Sequence, residues 1–219
     1  MTTRVLLAGA TGLIGRCVDV GFTQRTDIAL TSLKRSGSSG HGQPIDFERL
    51  RSEPETVLRE AAPAGADVAI SCLGTTIRAA GSQAAMYRVD HDYVLALAQG
   101  ARALGAHQFI LVSSVGAGGA GFYLRTKGAI ERDITALGFA RVDLIRPGML
   151  LGKRAQTRLL ESLGQRVVAA LSPMMIGRLS RYGAISAGTV ARAIVRLTGE
   201  EGCGCRIYSN SQITRIACS

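Results

Sequence analysis

The stretch "RVLLAGATGLIGR" (residues 4–16) limits the possible folds more than any other part of this chain. "VLLAG" (5–9) is a short apolar run closed by glycine and reads as a buried strand. Residues 13–25 read as the helix that follows. Between them Gly9, Gly12 and Gly15 form a G-x-x-G-x-x-G pattern. Glycine permits the tight turn and lets backbone N–H groups approach a pyrophosphate at the helix N-terminus. The same stretch could be taken for a secretory leader, but its three glycines favour a strand and turn.

The rest of the chain repeats the alternation. Strands are expected over 27–35, 66–74, 107–114, 140–148 and near 206–209, with a loop of low apolar content at 36–44. Helices are expected over 53–62, 83–104, 123–137, 155–171 and 186–198. Strands alternating with helices imply a doubly wound α/β fold of the Rossmann kind, a parallel sheet covered on both faces. No repeat or linker divides the 219 residues, so one domain is expected, with 149–219 as a small C-terminal extension on the substrate side.

Composition narrows the function classes. Hydrophobic residues make up 47% of the chain, which argues against disorder. No apolar run reaches the ~18 residues of a membrane span, and a cytoplasmic protein is expected. The five cysteines are scattered, as reduced structural thiols are. "CGC" at 203–205 has no second Cys/His pair at ligand spacing, so no metal is expected. The formal net charge is +10, but the basic residues form no dense run and aromatics are only 5%, which ranks nucleic-acid binding last.

The end of the second strand bears on the cofactor. An NAD site usually places an acid there for the ribose 2′-hydroxyl, whereas this chain has Lys34 and Arg35 and no acid between Asp27 and Asp46. An arginine pairs with a 2′-phosphate in forked geometry, which points to NADP(H). Asp46 and Phe47 are candidates for the adenine side, Gly74 for close backbone approach, and Arg78 for a phosphate.

"SSVGAGGAGFYLRTK" (113–127) ends in a tyrosine and a lysine four positions apart, on one face of a helix. A nearby ammonium favours the phenolate of a tyrosine, and a serine hydroxyl can orient a substrate carbonyl. The chain has only three lysines (34, 127 and 153) against 23 arginines, so a lysine at this spacing is a marked choice.

Taken in order, "GATGLIG", "KR", "CLGTT", "YRVDHDYVLALA", "FILVSSVGA", "YLRTKGAIE" and "RPGMLLGKR" resemble the short-chain dehydrogenase/reductase superfamily. More narrowly, the chain resembles its atypical group of HIV Tat-interactive-protein-like oxidoreductases. That resemblance implies NADPH binding by Thr11, Gly12, Leu13, Ile14, Lys34, Arg35, Leu73, Gly74, Thr75, Tyr123 and Lys127, with Leu150 and Arg158 near the cofactor. It implies Tyr123, Lys127 and a serine as catalytic residues; Ser114 is preferred from the "SSVGA" pattern, with Ser113 in reserve. Asp90 stands roughly where relatives often have a supporting asparagine.

The expected activity is hydride transfer to or from a small carbonyl or alcohol substrate. The alternative is an NADPH-binding regulatory or sensor protein with little turnover. Specificity is expected in 149–185, with Met174, Met175, Ile176 and Tyr182 as candidates, and a homodimer is one expected assembly.

Overall fold

A computed structural model describes residues 2–38, 40–151 and 183–219. Seven strands form one parallel sheet: β1 (Thr3–Ala8), β2 (Ile28–Arg35), β3 (Gln43–Ile45), β4 (Val68–Ser71), β5 (Gln108–Val112), β6 (Arg141–Ile145) and β9 (Gly204–Tyr208). Their order across the sheet is β3-β2-β1-β4-β5-β6-β9. A separate parallel pair joins β7 (Met149–Leu151) to β8 (Ala184–Ser186).

The inner strands "VAIS", "QFILV" and "RVDLI" are buried at every position, because helices cover both faces of a parallel sheet. One core layer gathers Leu6, Leu33, Phe109, Leu111 and Leu144 under α3 (Pro54–Ala61), α6 (Tyr93–Ala103) and α7 (Phe122–Ala136). The opposite layer gathers Val5, Leu7, Ile70, Ile110 and Ile145 against α1 (Leu13–Phe22), α8 (Ala187–Leu197) and α9 (Asn210–Cys218). Helix α8 shows why it forms. Val190, Ala191, Ala193, Ile194 and Leu197 make an apolar stripe, and the Ser186 side chain accepts from Thr189 N–H at its start.

The loop expected at 36–44 ends in β3, and α2 (Phe47–Ser52) follows it. Asp46 caps α2 by accepting from Glu48 N at 2.8 Å. The helix expected over 83–104 divides into α5 (Gln83–Tyr87), a π-helical turn (Arg88–Asp92) and α6. A short α4 (Ile77–Ala80) precedes them. The C-terminal residues are less separate than expected, since β9 completes the sheet beside β6 and α8 packs along α1. Helix α9 begins at a capping box between Ser209 and Gln212, a signal already present in "SNSQ". The helix expected over 155–171 lies outside the described residues.

At the amino end of the sheet, a buried polar cluster joins three strands. The Asp143 carboxylate, fully buried, accepts from Arg141 Nε at 2.9 Å, Gln108 Nε2 at 2.7 Å and the Tyr208 hydroxyl at 3.0 Å. Burial works against charge on Arg141, but Asp143 and Glu200 outweigh it and hold the guanidinium above its ordinary value. Removing one partner leaves the other charged and dry, a cost of about 3–5 kcal/mol. Asp143→Ala is therefore expected to lower the urea-unfolding free energy by up to about that amount, because Arg141 Nε, Gln108 Nε2 and the Tyr208 hydroxyl lose their acceptor while the rest of the guanidinium keeps Glu200 and Glu201.

Candidate active site

Close backbone packing builds the site at the carboxyl end of the sheet. Gly9 sits at φ +85°, and a Cβ there would lie 2.6 Å from the carbonyl carbon of Cys72. A Cβ on Gly15 would lie 2.1 Å from the Gly9 carbonyl oxygen. The turn from β1 into α1 and the exit of β4 therefore interlock through glycine, where no side chain fits. Here the chain order reverses, β2 and β3 lying to one side of β1 and β4 onward to the other, the position where open α/β sheets bind ligands.

Two cavities share a wall at this point. The first, about 740 Å³, runs from the glycine turn past Arg35, Asp46, Phe47, Arg88 and Tyr93. The second, about 540 Å³, passes Leu13, Ile14, Asp90, Ser113, Tyr123, Lys127 and Leu150. Gly12, Cys72, Leu73, Gly74 and Thr75 belong to both. Most of the expected site residues thus come together, with four qualifications.

Of the basic pair, only Arg35 lines the first cavity; Lys34 Nζ donates to the Gly40 carbonyl instead. Successive strand side chains point to opposite faces, so both cannot serve one cavity. Of the two serines, Ser113 lines the second cavity, 5% exposed, and its Oγ has no hydrogen-bond partner among the described residues. The preferred Ser114 instead donates to the Val115 carbonyl at 3.3 Å. Beyond β5, Ser113 N–H bonds to Ile145 O at 2.8 Å and Val115 N–H to Pro147 O at 3.0 Å, so the chain stays extended there and the two successive serines face opposite ways. Arg78 lies on α4 and lines neither cavity. Arg158, Met174, Met175, Ile176 and Tyr182 lie outside the described residues.

Three residues not singled out from the sequence shape the first cavity: Glu48, Arg88 and Tyr93. The Tyr93 hydroxyl donates to Glu48 Oε1 at 2.8 Å, and Arg88 lies 3.2 Å from the same oxygen. The hydrogen bond from Tyr93 holds the Glu48 carboxyl below its ordinary value. The Tyr93 ring packs on Phe47 at 5.3 Å between centroids. The sequence signal was the charge-rich "FERL" beside "YRVDHDY", which is legible only once the two segments are known to face each other.

Tyr123 and Lys127 occupy the first two turns of α7. A Cβ on Gly128 would lie 2.5 Å from Gly118 Cα, so the glycine loop packs directly on the helix and brings it beside Ser113. Lys127 is 3% exposed, and its Nζ lies 5.9 Å from the Tyr123 ring centroid. Nζ pairs with Asp90 Oδ1 at 2.8 Å, while Asp90 Oδ2 accepts from Thr75 N–H at 2.7 Å. Asp90 comes from the π-helical turn, an irregularity often found at functional sites. That turn is tied to α7 by His91, whose ring lies between Asp92 and Asp133 at 2.9 and 2.8 Å and stacks on Tyr87. Burial works against the Lys127 charge, but Asp90, with Tyr123 and Glu131, outweighs it and holds the ammonium above its ordinary value.

A parallel sheet in this order, a glycine turn at its switch point, and Ser, Tyr and Lys around the adjoining cavity define the short-chain dehydrogenase/reductase architecture. The chain belongs to the atypical branch of that superfamily that includes the proteins named HTATIP2 and FMP52. It is 39% identical over 155 residues to the mitochondrial protein FMP52 of Eremothecium gossypii, covering 68% of this chain and 67% of that protein. It is 32% identical over 199 residues to mitochondrial fmp52 of Aspergillus fumigatus (87% and 85%). It is 36% identical over 179 residues to Protein HTATIP2 of Rattus norvegicus (80% and 69%). No family model matches the sequence.

Among solved structures, ligand-free aldohexose dehydrogenase of Thermoplasma acidophilum aligns with a TM-score of 0.71 at 13% identity, covering 96% of this chain and 94% of that one. The likeness is one of fold. The expectation of a cytoplasmic protein does not stand, because the fungal relatives are named mitochondrial. Cellular address is read by receptors from targeting segments, and the composition of a folded domain does not carry it. Among the described residues, no helix is long and apolar enough to cross a membrane, and no group of three or more His, Cys, Asp or Glu could hold a metal.

Two outcomes follow from the electrostatics. Burial pushes the Cys72 thiol up to about 12, whereas Cys203 and Cys205 are exposed. Iodoacetamide at neutral pH is expected to label the exposed Cys203, Cys205 and Cys218 and to label Cys72, half-buried in the cavity wall, much more slowly until the protein unfolds, as read by peptide mass spectrometry. Because the Lys127 ammonium is held above its ordinary value, the stability it contributes is full below the ordinary lysine range and is lost as pH rises through the folded-state value. The Lys127 share of the parent's urea-unfolding free energy is expected to hold through neutral pH and to fall only under strongly alkaline conditions, whereas Lys127→Met, which strands the buried Asp90 carboxylate, is expected to gain stability as pH falls.

Proposed function

We propose that this protein is an NADPH-dependent oxidoreductase acting on a small carbonyl or alcohol substrate. The observation that carries this reading is the Ser113 hydroxyl, buried and without a partner among the described residues, in one cavity with Tyr123 and Lys127. A buried hydroxyl without a partner costs free energy unless a ligand completes it. The residues present also fit a dinucleotide. The glycine turn leaves room for a pyrophosphate at the start of α1, with Thr11, Gly12, Leu13 and Ile14 around it. Asp46 and Phe47 border the adenine side, and Arg35 is the cation suited to a 2′-phosphate. Leu73, Gly74 and Thr75 form the shared wall, and Leu150 closes the far side.

A bound nicotinamide would supply the hydride chemistry. Tyr123 exchanges the proton at the substrate oxygen, Ser113 orients that oxygen by a hydrogen bond, and Lys127 has N–H donors to spare for the cofactor ribose.

The reading is tested by fluorescence titration with NADPH and NADH. Arg35→Ala is expected to weaken NADPH binding by about 10- to 100-fold, the weight of a charge-assisted hydrogen bond, and to leave NADH little changed. Lys34→Ala is expected to keep the NADPH preference. In a screen of carbonyl compounds, Tyr123→Phe is expected to lower kcat by about 10²- to 10⁴-fold. Ser113→Ala is also expected to lower kcat, while Ser114→Ala stays near the parent. Tight NADPH binding without turnover of any carbonyl would favour the regulatory alternative. Absence of nucleotide binding would sink both.

A further inference from the structure

Asp90 is fully buried, and its two oxygens are divided between two jobs. Oδ2 accepts from Thr75 N–H at 2.7 Å, which fixes the cavity wall after β4. Oδ1 faces the Lys127 ammonium at 2.8 Å and meets no other partner among the described residues. A Cβ on Gly74 would lie 3.5 Å from Asp90 Oδ1 and 3.7 Å from Lys127 Nζ, so the backbone of the cavity wall lies directly beside the ion pair. Both charges line the cavity that holds Tyr123.

Two further charged groups bear on the pair. Glu131, one turn beyond Lys127 on α7, is bonded by Arg146 Nε at 2.9 Å. It is buried with its charge already matched. His91, next to Asp90 in the π-helical turn, is turned toward Asp92 and Asp133 instead. Among the described residues that line the Tyr123 cavity, the charged groups are therefore one ammonium, Lys127, and one carboxylate, Asp90. In the low-dielectric interior, a carboxylate 2.8 Å from an ammonium cancels most of the field that the ammonium projects to a third group farther away.

We propose that Asp90 is a positioning residue that biases the site toward reduction. It neutralises most of the Lys127 ammonium's pull on Tyr123 and so favours proton donation over proton acceptance there, which biases the site at neutral pH toward faster reduction of carbonyl compounds than oxidation of alcohols, while the position of equilibrium stays with the cofactor and substrate couples. The proposal rests on the oxidoreductase reading for its chemistry, but its electrostatic core can be measured without cofactor or substrate. In the reduction, the carbonyl carbon takes up a hydride from the reduced nicotinamide and the carbonyl oxygen takes the Tyr123 proton. Two electrons pass from cofactor to substrate, and solvent returns a proton to the phenolate. A lone ammonium would favour the phenolate and with it the reverse reaction.

The test is ultraviolet difference titration of tyrosinate in the cofactor-free protein. Each variant is compared with the same variant carrying Tyr123→Phe, so that the signal belongs to Tyr123 alone. Asp90→Asn keeps the shape and an oxygen for Thr75 N–H. It is expected to bring the Tyr123 tyrosinate band in at a pH lower by about one unit. Asp90→Asn combined with Lys127→Met removes both charges and is expected to return the titration to the parental position. An unchanged titration in Asp90→Asn would overturn the proposal, as would the same downward shift in the double variant. Once a substrate is known, Asp90→Asn should also lower the ratio of reductive to oxidative kcat at neutral pH, and an unchanged ratio would overturn the directional claim. The expected tyrosinate shift in a protein with no turnover would sink the oxidoreductase reading while supporting the electrostatic role.

Discussion

The close approach of the β1–α1 turn to the end of β4 is the constraint on which the rest of the site depends. Gly9 lies against the Cys72 carbonyl and Gly15 lies against Gly9, so two neighbouring strands and a helix N-terminus meet with only backbone between them. That contact leaves the cavities open on either side of Gly12 and the Cys72–Thr75 wall. Any side chain at these positions would separate the elements or fill the space between them.

Two buried ion pairs, at opposite ends of the sheet, show how the same physics serves different ends. At the amino end, Arg141 and Asp143 are saturated: Gln108, Tyr208 and the carbonyls of Glu200 and Glu201 take up the remaining donors and acceptors. The result ties β5, β6 and β9 together and offers nothing to a ligand. At the carboxyl end, the Lys127–Asp90 pair borders a cavity, shares it with a Ser113 hydroxyl that has no partner among the described residues, and is held by a π-helical turn. A completed network supports a fold, whereas one left open toward a cavity supports binding or chemistry.

Much of the framework could be read from the chain. Continuous apolar runs marked the buried strands, and their alternation with amphipathic stretches marked a parallel sheet. Short elements escaped notice for physical reasons. Strand β3 and helix α2 are three and six residues long, too short for periodicity to separate from a loop. The division of 83–104 by a π-helical turn leaves the apolar spacing helical throughout, so the pattern does not reveal it. Helix α9 could have been read from Ser209 and Gln212, since a capping box is local in sequence.

The sequence by itself determined the glycine turn, the run of alternating strands and helices, and the pairing of Tyr123 with Lys127 on one helix face. Each of these depends on residues within a few positions of one another, where spacing maps directly onto geometry. The tertiary structure alone decided that Arg35 rather than Lys34 enters the cavity, that Ser113 rather than Ser114 faces it, and that Asp90 holds the lysine. Those outcomes depend on which way successive residues of an extended segment point and on which residues 37 positions apart meet in a dry interior. They are set by the packing of distant segments, which no local pattern encodes.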